Sequence, residues 1–302
     1  SDNHFIAADE SLPVHVLSGP DLMAKSIHEF HPIKNKGDAF LINSPYHGCS
    51  HAADHTIIVP VIDINGIHRF SVCAKAHQAD IGNSLPSTYH ATARDVYEEG
   101  ALIFPAVRVQ RAYQQNDDII RMCQRRIRVP DFWYGDHLAM LGAVRNGEKR
   151  IHDIFEKYGT EMIEKFVEEW FDYSEKRMRH AIRALPEKAI VRQGFHDPMP
   201  PMMPDGIPVN VKLTIDPEAA VIVIDLTDNI DNMDNGLNLS ESCSISNSVA
   251  GVFNCLPSDI PRNGGSYRCI SMKLREGAAI GIPKFPHSCS VATTNLSDRL
   301  LN

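Results

Sequence analysis

The spacing of apolar residues changes twice along the chain and divides it into three regions. Up to residue 115, short apolar runs rich in β-branched residues alternate with turn residues, which predicts strands. From Asp117 to about Leu185, apolar residues recur every three or four positions, which predicts helices. After Pro186 the strand pattern returns. We therefore expect an α+β fold in which mixed sheets, in several layers, flank a central helical segment, with regions 1–115, 116–186 and 187–302.

The same patterns predict the individual elements. Strands are predicted at residues 14–17, 39–42, 56–62, 68–74, 102–109, 209–215 and 220–226. Helices are predicted from Asp21 to about residue 28, over 91–99 and over 241–256, and the central helices break at Val129-Pro130 and near Gly159-Thr160.

One predicted hairpin carries metal-competent side chains at both ends. Asn65-Gly66, a strong turn signal, joins the strands at 56–62 and 68–74. His51 and Asp54 precede the first strand, and His77 and Asp80 follow the second. In an antiparallel pair these two ends are neighbours, so the four side chains are expected to converge.

Imidazole and carboxylate are ligands for Zn²⁺, Mn²⁺ and Fe²⁺. The sequence therefore predicts a divalent metal site of His51, Asp54 and His77. Asp80 is expected to be either a fourth ligand or an acceptor that fixes an imidazole tautomer. Such a metal polarises a carbonyl or makes a bound water more acidic.

Three further histidines lie near this predicted site. His55 leads directly into a strand and is interpreted as structural. His47, in the preceding loop, either lines the pocket, with a role in proton transfer, or is an exposed turn residue. His15 is expected to point toward the same region from the first predicted strand. The His51-x-x-Asp54-His55 spacing also resembles that of inverted zinc proteases, but that motif needs a helix, which the flanking strand and turn residues exclude.

Composition limits the partners. The net charge is −8 and no long basic run exists, which argues against nucleic acid or an anionic membrane as the main partner. The basic stretch at 121–128 is interpreted as a solvated or partner-facing helix surface. No apolar run is long enough to cross a bilayer.

Seven scattered cysteines without a C-x-x-C pair predict free thiols in a reducing cytoplasm. The chain opens without Met and stops in a helix-like segment, so we expect it to be part of a longer polypeptide.

Common motifs for nucleotide and acyl chemistry are missing. The sequence has no G-x-x-x-x-G-K-[ST] or G-x-G-x-x-G phosphate loop and no G-x-S-x-G nucleophile elbow. If the reaction uses ATP, the nucleotide must be bound elsewhere.

Several segments together resemble the hydantoinase B family. They occur in the family's order and extend over essentially the whole chain. They are Gly37-Asp38-Ala39-Phe40-Leu41-Ile42-Asn43-Ser44-Pro45-Tyr46-His47-Gly48, His51-x-x-Asp54, Ala76-His77-Gln78-Ala79-Asp80-Ile81-Gly82, Tyr97-Glu98-Glu99-Gly100, Arg128-Val129-Pro130, Gly135-Asp136-His137-Leu138 and Lys157-Tyr158-Gly159. The similarity continues through the predicted hairpin after Asn210 and the segment at residues 235–248.

The resemblance implies a catalytic metal at His51, Asp54 and His77, and a partner subunit of the hydantoinase A type that binds ATP-Mg. It also implies a further acidic ligand upstream of this chain, so that Asp80, water or that upstream residue completes the metal shell. Ser44 stands where the family commonly has Asp, and Cys49 where it has a small residue.

Three functions follow as hypotheses. The first is the metal-binding subunit of an ATP-dependent hydrolase that opens a hydantoin, oxoproline or lactam, in a hetero-oligomer such as a dimer of heterodimers. The second is a subunit of an ATP-dependent ketone carboxylase that uses bicarbonate. The third is a metal-stabilised structural subunit without chemistry of its own.

Overall fold

Two sheets organise the molecule, a computed structural model that describes residues 3–9 and 11–302. The first sheet has the strand order β3-β2-β1-β4-β5 and the second β6-β7-β8-β9, in which only the β8–β9 pair is parallel. The strands are β1 (Ala39–Ile42), β2 (Asp54–Ile62), β3 (His68–His77), β4 (Val107–Arg111), β5 (Gln114–Gln115), β6 (Lys188–His196), β7 (Ile207–Asp216), β8 (Val221–Asp225) and β9 (Ile270–Lys273).

The longest helices connect the two sheets in the sequence. The helices are α1 (Pro13–Val16), α2 (Pro20–Phe30), α3 (Val96–Glu99), α4 (Asp117–Arg126), α5 (Pro130–Tyr158), α6 (Thr160–Arg183), α7 (Glu241–Asn254), α8 (Gly264–Tyr267) and α9 (Ala292–Leu301). A single 3₁₀ turn covers Pro45–His47. Within the part of the chain that the structure describes, no helix is long and apolar enough to span a membrane. The expected α+β class, with helices between two sheets, is confirmed.

Three local predictions were wrong. Residues 14–17 fall largely in α1, which packs against α7 and pairs with no strand. The helix predicted over 91–99 shrinks to α3, because Asp95 caps it by accepting from the Tyr97 and Glu98 amides. The strand predicted over 102–109 begins only at Val107, since Ala106 adopts φ 58° and interrupts an extended path.

The central strands of the first sheet, β1 and β2, are buried on both faces, and successive residues point to opposite sides. Ile57 and Val59 pack against Trp133 and Val144 of α5. Phe40, Ile42 and Ile58 form a second cluster on the other face with Met23 and Ile27 of α2. Each fully buried Ile or Val contributes about 1.5–3 kcal/mol relative to exposure. The hairpin is therefore held rigidly from both sides.

The β2–β3 hairpin has the predicted turn. Gly66 adopts φ 77°, and its amide donates to the Asp63 carbonyl over 3.0 Å. The Asp63 carboxylate accepts from the amides of Asn65 and Ile67. The register places Asp54 opposite His77, and Thr56 opposite Lys75.

Two buried histidines, His55 of β2 and His137 of α5, lie where the first sheet packs against α5. The indole nitrogen of Trp133 donates to His55 Nδ1 over 3.2 Å, and the His137 ring stacks on Trp133 with centroids 5.3 Å apart. Neither nitrogen of His137 has a hydrogen-bond partner among the described residues. Burial lowers the pKa of His137 to about 4 and that of His55 to about 3, so both rings are neutral in the folded protein.

We predict that His137 makes the fold sensitive to acid. The unfolded state binds a proton near pH 6.5 and the folded state only near pH 4, so stability is complete above pH 6.5 and is lost as the pH falls. The loss from this residue is about 3 kcal/mol between these values. Urea unfolding of His137→Phe should give a flatter pH dependence than the wild type. His180→Phe, at an exposed position, should keep the wild-type slope; an unchanged slope in His137→Phe would contradict the prediction.

Candidate metal centre

The buried carboxylate of Asp54 is the centre of a polar cluster that reaches the surface at His77. Asp54 opens β2, His77 closes β3, and His51 lies in the loop before β2, so the hairpin brings all three together. His77 Nδ1 lies 3.0 Å and His51 Nε2 lies 3.3 Å from Asp54 Oδ1. One ligand atom from each of the three side chains lies within 4.8 Å of the others.

The second oxygen of Asp54 is held from the opposite side. His15 Nε2 lies 3.0 Å from Oδ2, and the Ser50 hydroxyl donates a short hydrogen bond to the same atom. His15 thus reaches the region that the sequence indicated, but from a helix. With Oδ2 fixed by these two groups, Oδ1 faces His51 and His77.

Electrostatics prepare the cluster for a cation. Burial on its own raises the pKa of Asp54, but the adjacent His51 and hydrogen bonds from His15, His51 and His77 hold it well below its usual value. The carboxylate is therefore ionised at neutral pH. Burial lowers the pKa of His51, and Asp54 only partly offsets this, so the His51 imidazole keeps a lone pair for a metal.

The donor set and its spacing fit a divalent metal ion. Ligand atoms about 2.0–2.1 Å from a tetrahedral ion lie about 3.3 Å apart, close to the 3.0 and 3.3 Å distances between the imidazole nitrogens and Asp54 Oδ1. His51 Nδ1 is buried without a hydrogen-bond partner in the described chain, so that ring is not fully satisfied by protein groups. Two imidazoles and one carboxylate are a common catalytic zinc set.

Tyr89 covers the cluster, and the sequence analysis did not identify it. Its ring stacks on His51 with centroids 5.2 Å apart and lies 5.6 Å from His77. Thr88, the residue before it, contacts His77 Nε2 over 3.2 Å. Burial raises the pKa of the Tyr89 hydroxyl, so it stays protonated at neutral pH. The Thr88-Tyr89 segment contains no His, Cys, Asp or Glu, so only the tertiary structure reveals its place over the cluster.

Asp80 is not brought into this cluster. Its Oδ1 accepts from the amides of Gly82 and Arg128, and its Oδ2 pairs with the Arg128 guanidinium over 2.6 Å. Burial acts to raise the pKa of Asp80, and the bonds from Arg128 outweigh it and lower the pKa. The guanidinium also contacts the Asn83 carbonyl. Asp80 therefore anchors the segment that follows β3, and Arg128 is more than the solvated residue expected.

His47 and His55 lie outside the cluster of ligand atoms. His47 Nδ1 contacts the Ser44 hydroxyl over 2.8 Å, and its ring packs on Phe30. Burial lowers the pKa of His47. His55 points to the opposite face of the sheet, toward Trp133, which agrees with its structural interpretation.

Comparison with known proteins identifies the family. The model of the family described as hydantoinase B/oxoprolinase matches residues 1–302. The chain belongs to this family.

Curated relatives carry related enzyme names. The chain is 35% identical over 195 residues to a Pseudomonas protein named as the B-type subunit of a D-/L-hydantoinase, covering 64% of this chain and 33% of the relative. It is 25% identical to the beta subunit of caprolactamase from Pseudomonas jessenii (89% and 45% covered) and 24% to 5-oxoprolinase 1 of Arabidopsis thaliana (92% and 23%). The chain thus spans less than half of each of these relatives.

Two solved structures share the fold. The ATP-dependent caprolactamase from Pseudomonas jessenii superposes with a TM-score of 0.88 at 23% identity, over 98% of this chain and 51% of the other. Nucleotide-free acetone carboxylase gives 0.79 at 17% identity, over 91% and 37%. At these identities the likeness concerns the fold alone.

We predict that the Arg128–Asp80 pair stabilises the fold. Arg128→Met leaves a carboxylate that is 7% exposed without its charge partner, and should lower the free energy of unfolding by about 2 kcal/mol. Arg121 pairs with Asp118 on the exposed surface of α4, so Arg121→Met should cost less than about 0.5 kcal/mol. Equal effects in urea unfolding would contradict a structural role for Asp80.

Proposed function

We propose that the chain is the metal-binding part of an ATP-dependent hydrolase that opens a cyclic amide such as a hydantoin, oxoproline or lactam. The observation that carries this proposal is the His51–Asp54–His77 cluster, with buried His51 and Asp54 and exposed His77, in a chain of the hydantoinase B/oxoprolinase family. The relatives' names supply the substrate class: hydantoinase, caprolactamase and 5-oxoprolinase all denote enzymes of cyclic amides.

In this proposal His51, Asp54 and His77 hold a divalent ion, zinc or manganese, or iron. When bound, such an ion polarises a carbonyl or makes a water more acidic. His15 and Ser50 orient the Asp54 carboxylate, and Tyr89 limits access of bulk water. Asp80 is no longer proposed as a ligand or catalytic group, since Arg128 and Gly82 engage its oxygens. His47 stays a candidate for proton transfer only if substrate approaches from its side.

The ATP is proposed to bind to a partner subunit of the hydantoinase A type. The sequence lacks a phosphate loop, and two of the relatives are named as single subunits of their enzymes. A hetero-oligomer, such as a dimer of heterodimers in the cytoplasm, then brings the ATP site of the partner together with the metal site of this chain. Activation of the amide by ATP takes place on the partner's side of the shared site.

An ATP-dependent ketone carboxylase is the second candidate. The fold likeness to acetone carboxylase, with a TM-score of 0.79, supports this second candidate. Both reactions need a polarised carbonyl, so the metal cluster serves either. Substrate-stimulated ATP turnover by the complex distinguishes them. A lactam or hydantoin that stimulates turnover and yields a ring-opened product supports the hydrolase, whereas stimulation only by a ketone with bicarbonate supports the carboxylase.

We predict that His77→Ala abolishes metal retention and substrate-dependent ATP turnover, because it removes one of three ligands. Metal content per chain and turnover should be measured at matched folded fraction in the complex. His47→Ala, outside the cluster, should keep its metal. A His77→Ala protein that lacks metal but turns over at the wild-type rate would leave only the structural role for the metal.

The groups that fix Asp54 should tune metal affinity without abolishing it. Ser50→Ala and His15→Gln each remove one of the two partners of Oδ2, and partners of this kind typically contribute about 10–100-fold to metal affinity. Competition with a chromogenic chelator measures the change. His28→Gln, at an exposed position on α2, is the matched control for His15→Gln. Wild-type affinity in both Ser50→Ala and His15→Gln would show that the carboxylate needs no support.

A further inference from the structure

Two polar side chains beside the metal centre lack hydrogen-bond partners. Thr56 and Lys75 face each other across β2 and β3, two residues along from the Asp54–His77 pair. Because side chains two residues apart in a strand share a face, all four lie on the same face of the sheet. Thr56 Oγ1 and Lys75 Nζ are both shielded from solvent, and neither has a partner within the described residues.

The amine of Lys75 points into the protein, whereas the amine of an ordinary lysine points into solvent. Lysine normally covers apolar surface with its alkyl stem and keeps the ammonium in water. In Lys75 the residue as a whole is partly exposed, yet its Nζ is not accessible. Buried polar groups in proteins are almost always hydrogen-bonded, so an inward, unpaired ammonium calls for a partner from outside the chain.

Nearby protein groups do not supply that partner. Asp54 lies two residues from Thr56 on the same face of the sheet and carries a negative charge. Both Asp54 oxygens are already engaged, by two imidazoles on Oδ1 and by His15 and Ser50 on Oδ2. The ammonium protons and the Thr56 hydroxyl are therefore free to bind an oxygen.

We propose that Lys75 and Thr56 form an oxyanion-binding subsite next to the metal centre, which holds a carboxylate or phosphate oxygen of the ligand. An ammonium and a hydroxyl together bind such an oxygen through a charge-assisted and a neutral hydrogen bond. The substrate assignment rests on the proposed function, in which ring opening yields a carboxylate and ATP supplies a phosphate. With a divalent ion bound, one ionised aspartate and one ammonium would leave this region of the sheet with a net positive charge, which favours an anion.

Calorimetric titration of the zinc-loaded full-length protein tests the subsite, with inorganic phosphate and acetate as separate probes. We expect Lys75→Met to weaken binding of the preferred anion at least tenfold, and Thr56→Val at least threefold, with zinc content unchanged. Lys149→Met, on the exposed side of α5, should bind like the wild type. A preference for phosphate or for acetate identifies the source of the oxygen.

Stability gives an independent readout. Because Lys75 has no partner in the free protein, Lys75→Met should melt at the same temperature as the wild type or higher without anion; a lower melting temperature would reveal a structural pairing and overturn the inference. Thr56→Val, which is isosteric, tests the subsite if Lys75→Met does not fold.

Anion binding that depends on Lys75 in a protein that retains no zinc would sustain the subsite and refute the metal proposal. Equal anion affinity in all variants, or none in the wild type, would refute the subsite.

Discussion

The architecture around the site depends on one buried carboxylate at the open end of a hairpin. Asp54 is fully buried, and ionised carboxylates are tolerated in such a position only with full hydrogen bonding. It has four partners, from α1, from the loop before β2, and from the end of β3. The β2–β3 register, fixed by a tight turn at one end and by apolar packing on both faces, sets His77 opposite Asp54 at the other.

Several polar groups around this carboxylate lack the hydrogen bonds that would stabilise the fold. Neutral His51 retains an unpartnered nitrogen, and Lys75 and Thr56 keep polar atoms unpaired in the interior. Each unpaired group costs on the order of 1–3 kcal/mol. The apolar clusters on the two faces of the first sheet offset that cost, so the scaffold tolerates unpaired polar groups at this position. Proteins typically accept such local costs at functional sites.

Much of this arrangement could be predicted from sequence because its signals are local. The Asn65-Gly66 turn and the β-branched run before it specify the hairpin, and the hairpin places His51, Asp54 and His77 together. Asp80 could not be assigned, because its partner Arg128 lies 48 residues away and only tertiary structure joins them. Tyr89 and Lys75 were missed for a related reason. Their roles depend on where their side chains point, and residue type alone does not reveal that direction. The short helix that carries His15 was predicted as a strand, because Val-His-Val-Leu has strand composition. Its packing on α7 favours a helix instead.

X-ray absorption spectroscopy at the metal edge of the wild-type protein, purified without added metal, tests the central claim most directly. The account predicts a bound divalent ion with nitrogen and oxygen neighbours at about 2.0–2.2 Å and outer-shell scattering from two imidazole rings. Sulfur neighbours at about 2.3 Å would instead indicate cysteine ligands, such as Cys49 or Cys243. That result, or a protein that retains no metal, would contradict the assignment of His51, Asp54 and His77 as the metal centre.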